Sequence, residues 1–386
     1  MHVPSILTSA LLALSQVSSV VGRPAAEAVE SAEVSPDSVS SGSHGGCWNP
    51  LVRKEWRRLS NKEKLAFISA LKCMQAKPAK TGSRYPGAKS RYDDYQALHI
   101  SQTDYIHFDV RTVFAVSPSV QKLTRLHTDL TLHRWHRQML HIFEDDIRRT
   151  CGYTGTIPGE ANVLNSPIFD SVYGFGGNGP YIADISSFPD EWKTIVDIPG
   201  RQGGGCITNG PFKDRQIPMG PANHTNYTPH CLRRDISPWL ITQTTNSSLL
   251  NWVLQATSHW DLDHRIEGLS LDVAGMTLHA GGHLGVGGMI GEMANMYSSP
   301  GDPLFYLHHA MLDKVWDTWQ RKKWPARKAD IGGPDTMWAY PYNYFGDIPY
   351  KNVTLNTPLN YPLMGGTIKI NDVMDIRGGD LCYTYA

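Results

Sequence analysis

The chain has 386 residues, 41% of them hydrophobic, with 36 basic and 36 acidic side chains. That length supports one large globular domain or two modest ones, and a formal net charge of zero removes any electrostatic argument for a nucleic-acid partner or an anionic membrane surface. Sixteen histidines are the compositional oddity, and ten of them fall within residues 99–141 and 279–309.

Residues 5–14 form a short apolar run, followed by small residues up to Gly22-Arg23; residues 1–22 therefore read as a secretory signal peptide. No later apolar run approaches the ~18 residues of a membrane span. Residues 23–46 are rich in Ala, Ser, Glu, Val, Pro and Gly and have nothing with which to build a core, so they are predicted to be a disordered leader or propeptide. The folded domain is expected over 47–386. Helical spacing is predicted over 52–74, with Trp56, Leu59, Leu65, Phe67, Ile68 and Leu71 as the apolar face. A second helix is predicted over 92–105, carrying His99. A third is predicted over 135–149, with Trp135, Met139, Ile142 and Phe143 inward and His136 and Arg137 in its first turn. Residues 152–245 read as loop with weak strand signals. A helix over 279–293 is predicted despite Gly281, Gly282, Gly285, Gly287 and Gly288, since a glycine costs up to ~1 kcal/mol in a helix; close approach to a substrate or to a neighbouring helix is the compensating reason. The firmest helix is 302–322, with Asp302 as N-cap and Pro303 in its first turn. A loop and short-strand tail runs from 332 to 386.

Six cysteines, even in number and without a C-x-x-C pair, imply up to three disulfides in a secreted chain, with 15 pairings open. The sequons at Asn223, Asn226, Asn246 and Asn352 suit the same secreted or secretory-pathway location.

The chemistry lies in the histidines. His279-Ala-Gly-Gly-His283 places two imidazoles one helical turn apart, and Asp302-Pro-Leu-Phe-Tyr-Leu-His-His309-Ala-Met-Leu-Asp313 supplies a third from a later helix. All-imidazole ligation suits copper, zinc, iron or nickel and disfavours magnesium and calcium. A second set lies upstream, in Leu98-His99, His107, His127 and Trp135-His136-Arg137. Two sets imply two metals, housed by inward-facing histidines of a helix bundle.

Trp-His-Arg-x-x-Leu-x-x-Phe-Glu, then His-x-x-x-His, then Asp-Pro-x-Phe-x-x-His-His-x-x-x-Asp resembles the tyrosinase, catechol oxidase and hemocyanin family. The nearest likeness is to short secreted fungal tyrosinase-like oxidases, over roughly residues 47–385. The resemblance implies a mainly α fold with a four-helix-bundle core, long loops and a few short strands, holding two copper ions. It makes His279, His283 and His309 the downstream ligands, leaves His308 to packing, and gives Asp313 the task of orienting an imidazole. Upstream it makes His99 the first ligand and His136 the third. For the second it leaves two candidates: His107 stands eight residues after His99, and His127 nine before His136. Deleting residues 110–129 would restore both spacings, so that stretch is either an insertion foreign to the natural product or a genuine loop whose His127 binds. His133, where relatives carry an apolar residue, reads as packing or surface. No cysteine stands two before either candidate, at Tyr105 or Arg125, so the thioether of some relatives is not expected.

The implied activity is oxidation of a small aromatic, an o-diphenol or o-aminophenol, by O₂ to a quinone or quinone imine, in a fungal pigment or secondary-metabolite pathway. Ala280 stands where many tyrosinases have Asn, which favours substrates already carrying two donors over hydroxylation of monophenols. The alternative within the same fold is a zinc-binding, cyclopenase-like enzyme that rearranges or cleaves a small alkaloid without net oxidation, since zinc acts only as a Lewis acid. An oxygen carrier or an inert relative is a third reading.

Overall fold

The computed structural model describes residues 47–108, 132–160, 163–270, 272–336, 339–341, 343 and 346–386. The signal and leader segments, and the stretch containing His127, lie outside the described residues.

Strand β1 (Leu51–Arg53) pairs in parallel with the strand at the chain's far end, Tyr383–Tyr385. The Cys47–Cys382 disulfide staples the same junction. Helix α1 (Asn61–Ala76) begins later than predicted: a capping box between Ser60 and Glu63 starts it. Val52 belongs to the strand, Trp56 to a short 3₁₀ turn, and Leu65 lies exposed. Phe67, Ile68, Leu71 and Met74 form its buried stripe.

Helix α2 (Arg91–Thr103) starts at a second capping box, Ser90 with Asp93, and its end passes into a five-residue π turn, Asp104–Phe108. Helix α3 (Leu132–Cys151) buries Leu132, Trp135, Met139, Leu140, Phe143 and Ile147. Because α3 is already helical at Leu132, His136 and Arg137 sit in its second turn rather than its first. Cys73 of α1 is bonded to Cys151 of α3.

The span read as loop is mostly that, with a two-residue ribbon of β2 (Gln216–Ile217) and β3 (His230–Cys231) beside the Cys206–Cys231 bond. Three short helices follow: α4 (Pro238–Thr244), α5 (Ser247–Val253) and α6 (His259–Glu267). Each is capped by a side chain, from Ser237, Asn246 and Ser258 respectively.

Helix α7 (Leu278–Gly287) is shorter than predicted and packs on α4, α6 and α8 (Leu304–Arg321). Its glycines serve neighbouring helices. A Cβ on Gly281 would lie 2.1 Å from Thr244 Oγ1, and one on Gly282 would lie 2.1 Å from the His308 ring. At the head of α8, Asp302 accepts the Leu304 N–H, while its two oxygens also take the Arg234 guanidinium. The hairpin β4 (Pro358–Tyr361) with β5 (Gly366–Lys369) and the final strand β6 (Tyr383–Tyr385) complete the tail.

The described fold is mainly α, with few and short strands. One large apolar cluster runs from Trp56 and Phe67 through Trp135 and Phe143 to Phe305, Trp316 and Trp319, all of them fully buried. It is the floor on which α2, α3, α7 and α8 converge.

Candidate dinuclear metal centre

His99, His107 and His136 meet in the interior. Their ring nitrogens lie within 4.8 Å of one another, and the ring centroids stand 5.5, 5.8 and 5.4 Å apart. His99 projects from the last turns of α2, where its Nδ1–H donates to the Tyr297 carbonyl at 2.8 Å. His136 donates its Nδ1–H to the Leu132 carbonyl one turn back, also at 2.8 Å. A carbonyl can only accept, so both imidazoles are held with a lone pair on Nε2. Among the described residues those two buried nitrogens have no hydrogen-bond partner. His107 is carried by the π turn, whose extra residue per turn swings it back toward α2 and α3.

Downstream, His279 and His283 stand one turn apart on α7. His279 Nδ1–H donates to Glu267 Oε2 at 2.6 Å, and His283 Nδ1–H donates to the Met293 carbonyl at 2.8 Å. Both members of the adjacent pair on α8 come near. His308 groups with His279 and His283 within 4.8 Å, but it is half-buried and its Nε2–H is directed at the His279 carbonyl, 3.2 Å away. His309 is 2% exposed, with Nε2 3.2 Å from His283 Nε2. Its ring lies flat on that of His136, with centroids 3.9 Å apart. His309 is thus the side chain that joins the two sets. Phe305, one turn earlier, packs edge or tilt against His99, His136 and His309 and forms a dry wall between them.

Burial pushes His99 down to about 3 and His283 to about 4, and holds His136, His279 and His309 well below the ordinary histidine value. These imidazoles are neutral at ordinary pH, which is the form that ligates metal.

Among the described residues, Asp313 makes no hydrogen bond to an imidazole. Its carboxylate accepts from Arg137, Arg53, Tyr383 and Tyr385, because one turn beyond His309 the helix faces α3 and the closing strand. Burial would raise its pKa, but the Arg137 and Arg53 guanidiniums and the two phenols outweigh that and hold it below the usual carboxylate range. The Arg137–Asp313 bridge therefore ties the residue after His136 to the helix of His309. His133, expected as packing or surface, is buried against Glu267 at 3.1 Å and Asp263 at 3.7 Å. Sequence reasoning missed both carboxylates, although their spacing of four within a helix bearing buried Leu262 and Ile266 was a visible signal. His127 lies outside the described residues.

The common central domain of tyrosinase matches residues 89–322, a span that includes every histidine just described. The chain belongs to the tyrosinase family. Two similar proteins come from fungi. An N-acetyl-6-hydroxytryptophan oxidase ivoB of Emericella nidulans is 33% identical, covering 87% of this chain and 92% of that one. Tyrosinase P of Aspergillus terreus is 30% identical, over 88% and 93%. Among solved structures, a polyphenol oxidase from Thermothelomyces thermophila superposes with a TM-score of 0.70 at 28% identity, covering 87% of this chain and 89% of that one. This tyrosinase-family chain is a phenol oxidase of the tyrosinase-like kind. Its family is one of dinuclear copper proteins, and its two buried histidine sets are of the type that can hold two metals. Oxidase names among the relatives do not favour the zinc reading. All six cysteines are paired, so none is left for a thioether. Ala280, the residue after His279, is buried among Met276, Leu284, Met289 and Ile290.

Proposed function

We propose that the chain is a dinuclear copper oxidase that converts an o-diphenol or o-aminophenol to a quinone or quinone imine with O₂. His99, His107 and His136 would hold one copper, and His279, His283 and His309 the other. The observation that carries this is the stacking of His136 on His309 at 3.9 Å, which makes the two neutral, buried histidine sets neighbours. Copper, when bound, supplies a redox-active cationic pair that attracts an ionised aromatic oxygen and takes electrons from the ring. Each substrate loses two electrons and two protons, and two substrates reduce one O₂ to two waters. The protein's part is to present lone pairs without adding charge, to fix the imidazoles through carbonyl and carboxylate partners, and to keep water out with Phe305.

His309 is preferred to His308 because its Nε2 faces that of His283, whereas His308 directs its Nε2 at a main-chain carbonyl. The hydroxyindole in the Emericella relative's name is an electron-rich ring of the same general class and extends the candidate substrates. The disulfides and the signal-like N-terminus support passage through an oxidising compartment. Oxygen uptake by the copper-loaded protein, with catechol, o-aminophenol, a hydroxyindole and a simple monophenol compared side by side, tests the reading. Turnover of the two-donor rings, with the monophenol untouched, is expected. Preferential turnover of the monophenol would overturn the assignment of substrate class, and no oxygen uptake with any of them would overturn the oxidase.

A further inference from the structure

Between α3 and α6 lies a chain of buried polar groups that no ligand position requires. His133 Nε2 is 3.1 Å from Glu267 Oε1 and 3.7 Å from Asp263 Oδ1, and the three side chains are at most 3% exposed. The other Glu267 oxygen, Oε2, accepts the His279 Nδ1–H at 2.6 Å. Glu267 therefore sits between two imidazoles, one oxygen to each. Asp263 and Glu267 are four residues apart on α6, so both carboxylates face His133 from one side of the helix.

A buried carboxylate with a free rotor would be a poor anchor for a ligand, because its two oxygens could swing and its charge would cost several kcal/mol to bury alone. Here the rotor is confined: the His279 Nδ1–H takes Oε2, the His133 ring stands 3.1 Å from Oε1 in close contact without hydrogen-bond alignment, and Asp263 lies 3.7 Å from the same His133 nitrogen. With Nδ1–H directed at Glu267, Nε2 is the nitrogen of that ring whose lone pair can ligate a metal.

We propose that His133 and Asp263 are positioning residues. Between them they pin the Glu267 carboxylate, Glu267 fixes the tautomer and tilt of His279, and the pair so sets how tightly the downstream triad holds its metal. The inference rests on the reading that His279, His283 and His309 bind copper.

The test is a chelator competition that resolves the two copper-binding steps of the full chain, run on wild type, His133→Leu, His133→Gln, Asp263→Asn and His279→Ala, with the melting temperature of each metal-free form. Loss of an outer partner of a ligating histidine costs about 10- to 100-fold in metal affinity. His133→Leu is expected to weaken one copper by that factor and leave the other unchanged. His133→Gln, whose amide N–H reaches about as far as Nε2, is expected to recover most of the loss, with Asp263→Asn between them. If His133→Leu does not fold, Asp263→Asn and His133→Gln decide, and wild-type affinity for both coppers in Asp263→Asn overturns the proposal. A lowered melting temperature with both affinities intact would mean a structural role only, and overturns it too. Should His279→Ala still bind two coppers, it is the assignment of the downstream triad that fails, not the positioning role.

Discussion

At the scale of single residues, the adjacent pair on α8 is the sharpest case. Neighbours on a helix point about 100° apart, so only one can share a metal with His283 in a given geometry. His309→Ala is expected to leave one metal per chain, and His308→Ala to keep two, read by metal analysis of the purified variants; the reverse pattern would exchange their roles. The same measurement addresses the upstream ligand. His107 stands within 4.8 Å of its partners, so His107→Ala is expected to lose one metal and His127→Ala none. Loss in His127→Ala alone would show residues 110–129 to be a working loop. The i, i+4 pair on α7 and the Asp-Pro-x-Phe helix were legible because ligand spacing there is local helical period. The Glu267–His279 contact was not, because it depends on how α6 packs against α7. Asp313 was legible as important and misread in role: its partners come from α3 and from the two ends of the chain.

At the scale of elements, the long helices were readable from apolar period, and their starts were misplaced where a cap overrode it, as Ser60 does for α1. The short helix α4 was lost at the end of a Gly- and Pro-rich span, and α5 and α6 went unassigned after it, because seven to nine residues carry too little periodicity to stand out. Packing these elements around buried histidines has a consequence for acid stability. His99 is held at about 3 and His283 at about 4, whereas an unfolded histidine titrates near ~6.5. Depressed folded values mean that the unfolded chain binds protons that the metal-free folded chain refuses. Their contribution is complete above about pH 6.5 and is lost as the pH falls toward 4, at up to about 1.4 kcal/mol per pH unit for each imidazole. Urea unfolding of the metal-free protein between pH 7.5 and 4.5 is expected to show that decline. Stability that stays level across the window would mean that the rings are hydrated and not held neutral.

At the scale of the whole molecule, the chain closes on itself. The β1–β6 pairing, the Cys47–Cys382 bond and the Arg53–Tyr385 hydrogen bond all join its first described residues to its last. The even cysteine count pointed to disulfides, but which of 15 pairings forms is a property of the packed fold. Thiol counting in denaturant without reductant is expected to find none free in the secreted protein; five or six would place it in a reducing compartment. Among the described residues no helix is long and apolar enough to cross a membrane. All of this architecture serves one centre, so the decisive measurement is reconstitution: strip the purified protein with a chelator, reload it with copper or with zinc, and measure metal per chain alongside catechol-dependent oxygen uptake. Two coppers per chain, with uptake of one O₂ per two catechols restored by copper and not by zinc, is the predicted result. A single tightly bound metal, or equal uptake with zinc, would contradict a dinuclear copper oxidase.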